Sequence, residues 1–128
     1  MARLLVDGMN VLGSRPDGWW RDRPGAIARL ASQLDALAAA GQDHVRVVFD
    51  GAPVPLPALG HAEVRFASRR GRDAADDDVA ALAEADDDPA SLVVVTSDGA
   101  LADRVRAAGA QVEGAGGFRR RLDEVAGR

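Results

Sequence analysis

Apolar residues along this chain fall into two alternating patterns. Leu4-Leu5-Val6 and Leu92-Val93-Val94-Val95 are unbroken apolar runs, which predict strands covered on both faces, as in a parallel sheet. Val45 to Phe49, apolar apart from Arg46, predicts another strand. Ala62 to Ala67, with Val64 and Phe66 on one face, predicts a third in chain order, and Ala110 to Val112 a short last one. Between these runs the spacing changes to that of helices. Ile27, Leu30, Leu34 and Leu37 recur on one helical face that opens near Pro24 and closes at Gly41. Val79, Leu82 and Ala83 continue a helix, Leu101 and Val105 give the apolar face of a helix over 100–108, and Leu122 and Val125 dock a terminal helix. That last helix is expected to follow a flexible link from Gly114 to Gly117, and the stretch holding Pro53, Pro55 and Pro57 is expected to be irregular. Strands alternating with helices predict an α/β protein, a three-layer α/β/α sandwich with a mainly parallel sheet, as one domain over residues 1–128.

This architecture gives the acidic residues a meaning. Asp7-Gly8, Asp50-Gly51 and Asp98-Gly99 each follow the end of a strand, and a parallel sheet gathers its carboxyl ends on one edge. Asn10 can aim a further oxygen at the same space. Read locally, Asp-Gly is a turn and Asn10 a helix cap. From Ser68 to Asp78, arginines run into aspartates at the start of a helix. Asp73 and Asp76 have the spacing of a capping pair, while Asp73, Asp76 and Asp77, at i, i+3 and i+4, share a face. Capping explains one or two carboxylates, not the whole run. Asp86-Asp87-Asp88-Pro89 reads as a solvated loop and Asp103 as a helix-surface residue.

Composition narrows the chemistry. The chain has no cysteine, so disulfides and thiolate metal sites are excluded, which fits a reducing compartment. It has no lysine either, which excludes a P-loop and a phospho-acceptor receiver domain. The net charge of −4 argues against a protein that coats nucleic acid nonspecifically. Asp7 interrupts the first apolar run and no stretch is long enough for a bilayer, so neither a leader nor a membrane is expected and a soluble, cytoplasmic protein is. His44 and His61 lack a partner at ligand spacing and read as loop or strand-edge residues. Carboxylates crowded in one cleft without lysine or histidine call for a hard divalent cation, Mg²⁺ or Mn²⁺. Such a site suits phosphodiester hydrolysis. Arg15, Trp19, Trp20 and Arg21, with Arg69, Arg70 and Arg72, are candidates to stack RNA bases and hold phosphates, although an indole packed over the end of the core is the ordinary alternative.

The succession Val6-Asp7-Gly8-Met9-Asn10-Val11, Val48-Phe49-Asp50-Gly51, Ala75-Asp76-Asp77 and Val95-Thr96-Ser97-Asp98 resembles the NYN domains of the YacP-like group, within the PIN-like nuclease superfamily, from Arg3 to about Glu124. The resemblance implies a PIN-like fold and a metal-dependent endoribonuclease. Asp7, Asp76 and Asp98 match the family's metal-binding acids, with Asn10 and Asp50 lining the same catalytic site. Met9 stands where the family often has an aromatic residue. The aspartate run leaves the third ligand open, with Asp76 preferred, then Asp77, then Asp73. Some relatives are thought to act on messenger RNA at the ribosome, so RNA is the expected partner and the ribosome a further one. Two other readings stand beside this one. A phosphohydrolase of small phosphoesters is weakened by Met9, which breaks the Asp-x-Asp nucleophile motif. An RNA-binding module of the same fold without catalysis is weakened by the presence of all the acids.

Overall fold

A computed structural model describes residues 3–41, 44–71 and 73–126. Its strands are β1 (Arg3–Asp7), β2 (His44–Phe49), β3 (Ala62–Phe66), β4 (Leu92–Val95) and β5 (Gln111–Glu113). Its helices are α1 (Gly8–Leu12), α2 (Arg23–Gly41), α3 (Ala74–Glu84), α4 (Gly99–Ala107) and α5 (Ala115–Ala126), with a short 3-10 turn at Trp19–Asp22. All the strand pairs are parallel, in the order β3-β2-β1-β4-β5.

Alternation divides the apolar runs between two cores. Leu4 and Val6 of β1, with Val45, Val47 and Phe49 of β2, point to the face covered by α2 and α5. Leu5, Val48, Leu92 and Val94 point to the face covered by α3 and α4. The helices bury the face that their spacing requires, Ile27, Leu30, Leu34 and Leu37 on α2 and Leu101 and Val105 on α4. This is the expected three-layer α/β/α sandwich, with every described strand parallel. His44 begins β2 and His61 directly precedes β3. Among the described residues no helix is long and apolar enough to cross a membrane.

Three local expectations are overturned. Gly114 to Gly117 is not a flexible link, because Ser97 Oγ accepts the Ala115 N–H at 2.8 Å and the Phe118 N–H reaches the Gly114 carbonyl at 3.1 Å, so α5 starts at once. Asp86 is not solvated. Both its oxygens accept from the Arg3 guanidinium, at 2.8 and 3.0 Å, which ties the start of β1 to the loop before β4 and holds the Asp86 carboxyl down at about 2. Gly8 opens α1 rather than a simple turn.

The β2–β3 connection, rich in proline, has no helix and is held from α2. Asp35 accepts the His61 and Ala62 N–H groups, each at 2.7 Å, and fixes the entry to β3. Gly8 matters because a Cβ there would stand 2.5 Å from the Phe49 ring and 2.9 Å from the Val48 carbonyl oxygen. Phe49 is fully buried and cannot yield cheaply. Gly8→Ala is therefore expected to destabilise the fold by about 1–3 kcal/mol, read as a lower urea midpoint at unchanged slope.

Candidate active site

β1 and β4 are neighbours, but their chains leave in opposite directions. α1 turns to the face of α2 and α5, and α4 to the face of α3. A parallel sheet opens a crevice at such a reversal, outside the carboxyl ends of the strands. Asp7 ends β1 there and is only 3% exposed. Thr96, just beyond β4, donates its hydroxyl to Asp7 Oδ2 at 2.9 Å and accepts the Asp98 N–H at 3.1 Å. Asp98 is the N-cap of α4, with Oδ1 accepting from the Leu101 N–H at 3.1 Å. Asn10 Oδ1 accepts the Ser97 N–H at 2.7 Å and pins the loop between Thr96 and Asp98.

Asp76 arrives from α3, and Asp50 holds that helix in place. Asp50 Oδ1 accepts the Ala75 N–H at 2.9 Å, so the first turn of α3 is capped from the end of β2. The expected Asp73–Asp76 capping pair does not form. Asp73 has left-handed backbone (φ 63°) and its side chain makes no cap bond.

The acids are electrostatically close. Burial pushes the Asp7 carboxyl up to about 6, with repulsion from Asp76 and Asp50 adding to it against the Thr96 hydrogen bond. Desolvation, then Asp98, Asp73, Asp50 and Asp77, push Asp76 up to about 6 as well. Asp77 behaves oppositely. It is held by Arg104 at 2.8 Å and by Arg69, and both lower its pKa. A cleft of about 300 Å³ is lined by Asp73, Asp76, Asp77, Asp98, Leu101 and Arg104. A cleft of similar size, about 320 Å³, lies at the opposite edge around Arg3, Arg46 and both histidines. Its acids are Asp86, already committed to Arg3, and Glu63, paired with Arg65, so the acidic crevice is the better candidate for chemistry.

Asp50 and Asp98 each keep one carboxylate oxygen, and Asp76 both, without a hydrogen-bond partner among the described residues. Nor is any of Asp7, Asp50, Asp76 and Asp98 in an ion pair there. Such hard, uncompensated oxygens fit Mg²⁺ or Mn²⁺ in chemistry. Among the described residues no three His, Cys, Asp or Glu side chains stand close enough to hold an ion as placed. Carboxylates without a shared cation repel one another, so ligation requires these side chains to close together.

The candidate RNA contacts are scattered. Trp20 is 55% exposed, with the Arg21 guanidinium 5.9 Å from its ring centre. Trp19 packs edge-on against Trp20 and against the core. Arg15 pairs with Asp123, Arg69 with Asp77, and Arg70 is exposed. Arg72 lies outside the described residues. Sequence reasoning missed the roles of Thr96, Arg104 and Arg23, whose guanidinium donates to the Asp50 carbonyl oxygen. Thr96 belongs to the Val95-Thr96-Ser97-Asp98 stretch, but only the parallel pairing of β1 with β4 shows what its hydroxyl reaches.

The elevated Asp7 has a consequence for stability. A carboxyl at about 6 in the folded protein, against its ordinary 3.8, binds a proton more tightly when folded. Its favourable contribution is complete below the ordinary value and lost as pH rises through 6. The metal-free protein is expected to lose on the order of 2–3 kcal/mol from Asp7 between about pH 4 and 7, with Asp76 acting in the same sense. Urea denaturation across that range should show the decline, and Asp7→Asn should flatten it. A decline just as steep in Asp7→Asn as in the wild type contradicts the raised Asp7 carboxyl.

The chain matches the YacP-like NYN domain family over residues 4–128. Among curated proteins none matches it. A crystal structure of Rae1 (YacP) from Bacillus subtilis superposes with a TM-score of 0.78 at 25% identity, covering 98% of this chain and 76% of that one. The W164L mutant of the same protein gives 0.80 at 25% identity, covering 98% and 77%. With the match running through β1, the acid-bearing turns and α5, the chain belongs to the YacP-like NYN domain family, of the PIN-like nuclease superfamily.

Proposed function

We infer that this protein is a divalent-metal-dependent endoribonuclease that hydrolyses RNA phosphodiester bonds, acting in the cytoplasm as a single domain on messenger RNA, with the ribosome as the setting. One observation carries the reading. Asp7 and Asp76, both pushed up to about 6, face Asp50 and Asp98 at the crevice between β1 and β4, and among the described residues none of the four is in an ion pair, Arg104 of the cleft wall being bound to Asp77.

In this reading Asp7, Asp76 and Asp98 hold Mg²⁺ or Mn²⁺. When bound, the metal supplies Lewis-acid polarisation of the phosphodiester and a water acidic enough to attack it. The chain's own residues prepare that site. Thr96 fixes the Asp7 carboxylate and the Asp98 backbone together, Asp50 holds the turn that carries Asp76, and Asn10 immobilises Ser97. Asp77, the second choice for a ligand, instead orients two guanidinium groups. Arg104 is in the cleft wall and Arg69 beside it, where they can take phosphate oxygens of the strand. Exposed Trp20 with Arg21 offers a stacking surface for a base.

The test is cleavage of a structured RNA with and without EDTA, beside a generic phosphatase substrate. Cleavage of the RNA alone, lost in EDTA and restored by Mn²⁺, is expected. Cleavage of the phosphatase substrate instead indicates a phosphohydrolase, and RNA binding without cleavage a silent module. Asp7→Asn and Asp98→Asn are expected to abolish cleavage, and an Asp98→Asn protein that cuts at the wild-type rate refutes the assignment. Thr96→Val is expected to weaken metal affinity about 10- to 100-fold, with Thr96→Ser restoring it, as measured by Mn²⁺ titration.

A further inference from the structure

A second, smaller cavity of about 150 Å³ lies away from the acids, between α1, α2 and α5, and includes Leu12, Asp17, Trp19, Arg29, Gln33 and Arg119 in its walls. Arg29 and Gln33 are four apart and share one face of α2. Opposite them stands Arg119 of α5, only 9% exposed. Its Nη1 donates to the Val11 carbonyl at 3.0 Å, Nη2 reaches Asp17 only at 3.5 Å, and Nε has no partner among the described residues. Arg29 is no better matched, its carboxylate neighbour Asp22 being 4.0 Å away. Two guanidinium groups and a single carboxylate, Asp17, thus line the cavity. Arg119 is a buried cation with weak compensation, which is costly unless an anion completes its surroundings, whereas the Arg29 side chain is 69% exposed and free to close over such an anion.

The size says which anion. The cavity is half of the ~300 Å³ at which pockets for whole ligands begin, so it takes one phosphate group rather than a nucleotide. The place says what carries it. Leu12 of the cavity wall ends the short helix that follows Asp7, so cavity and crevice lie at the two ends of α1, about 7.5 Å of helix rise apart.

We propose that this cavity seats a backbone phosphate of the RNA strand, next to the bond cut at the acidic crevice, with Arg29 and Arg119 as forked donors and the Gln33 amide as a neutral one. The identity of the strand rests on the nuclease reading; the anion site does not. Arg29 is the residue to change, because Arg119 also holds the end of α1.

The experiment has two arms. In a Trp20→Phe protein Trp19 is the one remaining indole and reports on the cavity by fluorescence. Inorganic phosphate is expected to change its emission saturably, and Arg29→Ala to remove the response. In the second arm, a short single-stranded RNA binds to the non-cleaving Asp98→Asn protein over a range of salt. Each phosphate contact contributes about 0.7 to the slope of log K against log salt for single strands. Adding Arg29→Ala is expected to lower the slope by about 0.7, whereas Arg106→Ala, on exposed α4 surface, leaves it unchanged. One methylphosphonate at the matching position should reproduce the Arg29→Ala loss and add nothing to it. A phosphate response without any change in the RNA slope means a free-phosphate site and overturns the strand assignment. A slope and an emission that both ignore Arg29 overturn the site altogether. If phosphate binds and RNA does not, the nuclease reading fails and the anion site stands.

Discussion

The constraint on which this structure turns is the convergence of carboxylates at a sheet edge with no ion pair to any of the central four among the described residues. Asp7 and Asp98 arrive there because β1 and β4 lie side by side and parallel, and Asp50 and Asp76 because β2 and α3 open on the same edge. Burial first, and then the like charges so placed, raise the carboxyls of Asp7 and Asp76 and oppose their ionisation in the absence of a cation. Among the described residues no arginine forms an ion pair with these four acids, although Arg104 stands in the cleft wall beside Asp76. Arg3 is taken by Asp86, Arg15 by Asp123, and Arg69 and Arg104 by Asp77, each an acid outside the central four. Distribution of the charges, rather than their sum, leaves these four acids without a direct ion-pair partner among the described residues.

Two features make the crowding tolerable. The first is the backbone. α3, α4 and α5 all begin at this edge, and their N-terminal amides supply partial positive charge. Some of it is delivered as discrete bonds, from Ala75 to Asp50 and from Leu101 to Asp98, so that one oxygen of each carboxylate is spoken for and the other is left to the crevice. The second is the rigid core beneath. Leu5, Val6, Val94 and Val95 are fully buried, and the contact of Gly8 with Phe49 leaves the turn after Asp7 no room to relax. The acids cannot escape one another by moving the backbone; their side chains and protons must respond instead.

The same edge links to the α2–α5 side of the molecule through short connections. Ser97 is held by Asn10 and itself holds the start of α5, whose Arg119 grips the end of α1. The acidic crevice and the cavity around Arg119 therefore rest on one set of hydrogen bonds. That joins the places where phosphodiester chemistry and strand positioning are proposed.

The sequence by itself determined the layers and the gathering of acids at one edge. Runs such as Leu92 to Val95 have apolar residues on both faces and are stable only between two layers of helices, and three Asp-Gly strand ends in a parallel sheet must share an edge. Those are local patterns with only one compatible packing. What the tertiary structure decided are pairings between segments far apart in sequence, which no local pattern encodes. Examples are the neighbouring of β1 and β4, Asp50 in place of Asp73 as the cap of α3, and Arg3 drawing Asp86 out of solvent. The split between Asp76 and Asp77 belongs with them. Adjacent on one helix, they point one to the acids and the other to Arg69 and Arg104, and only the positions of α4 and of the loop before α3 determine which carboxylate meets a cation.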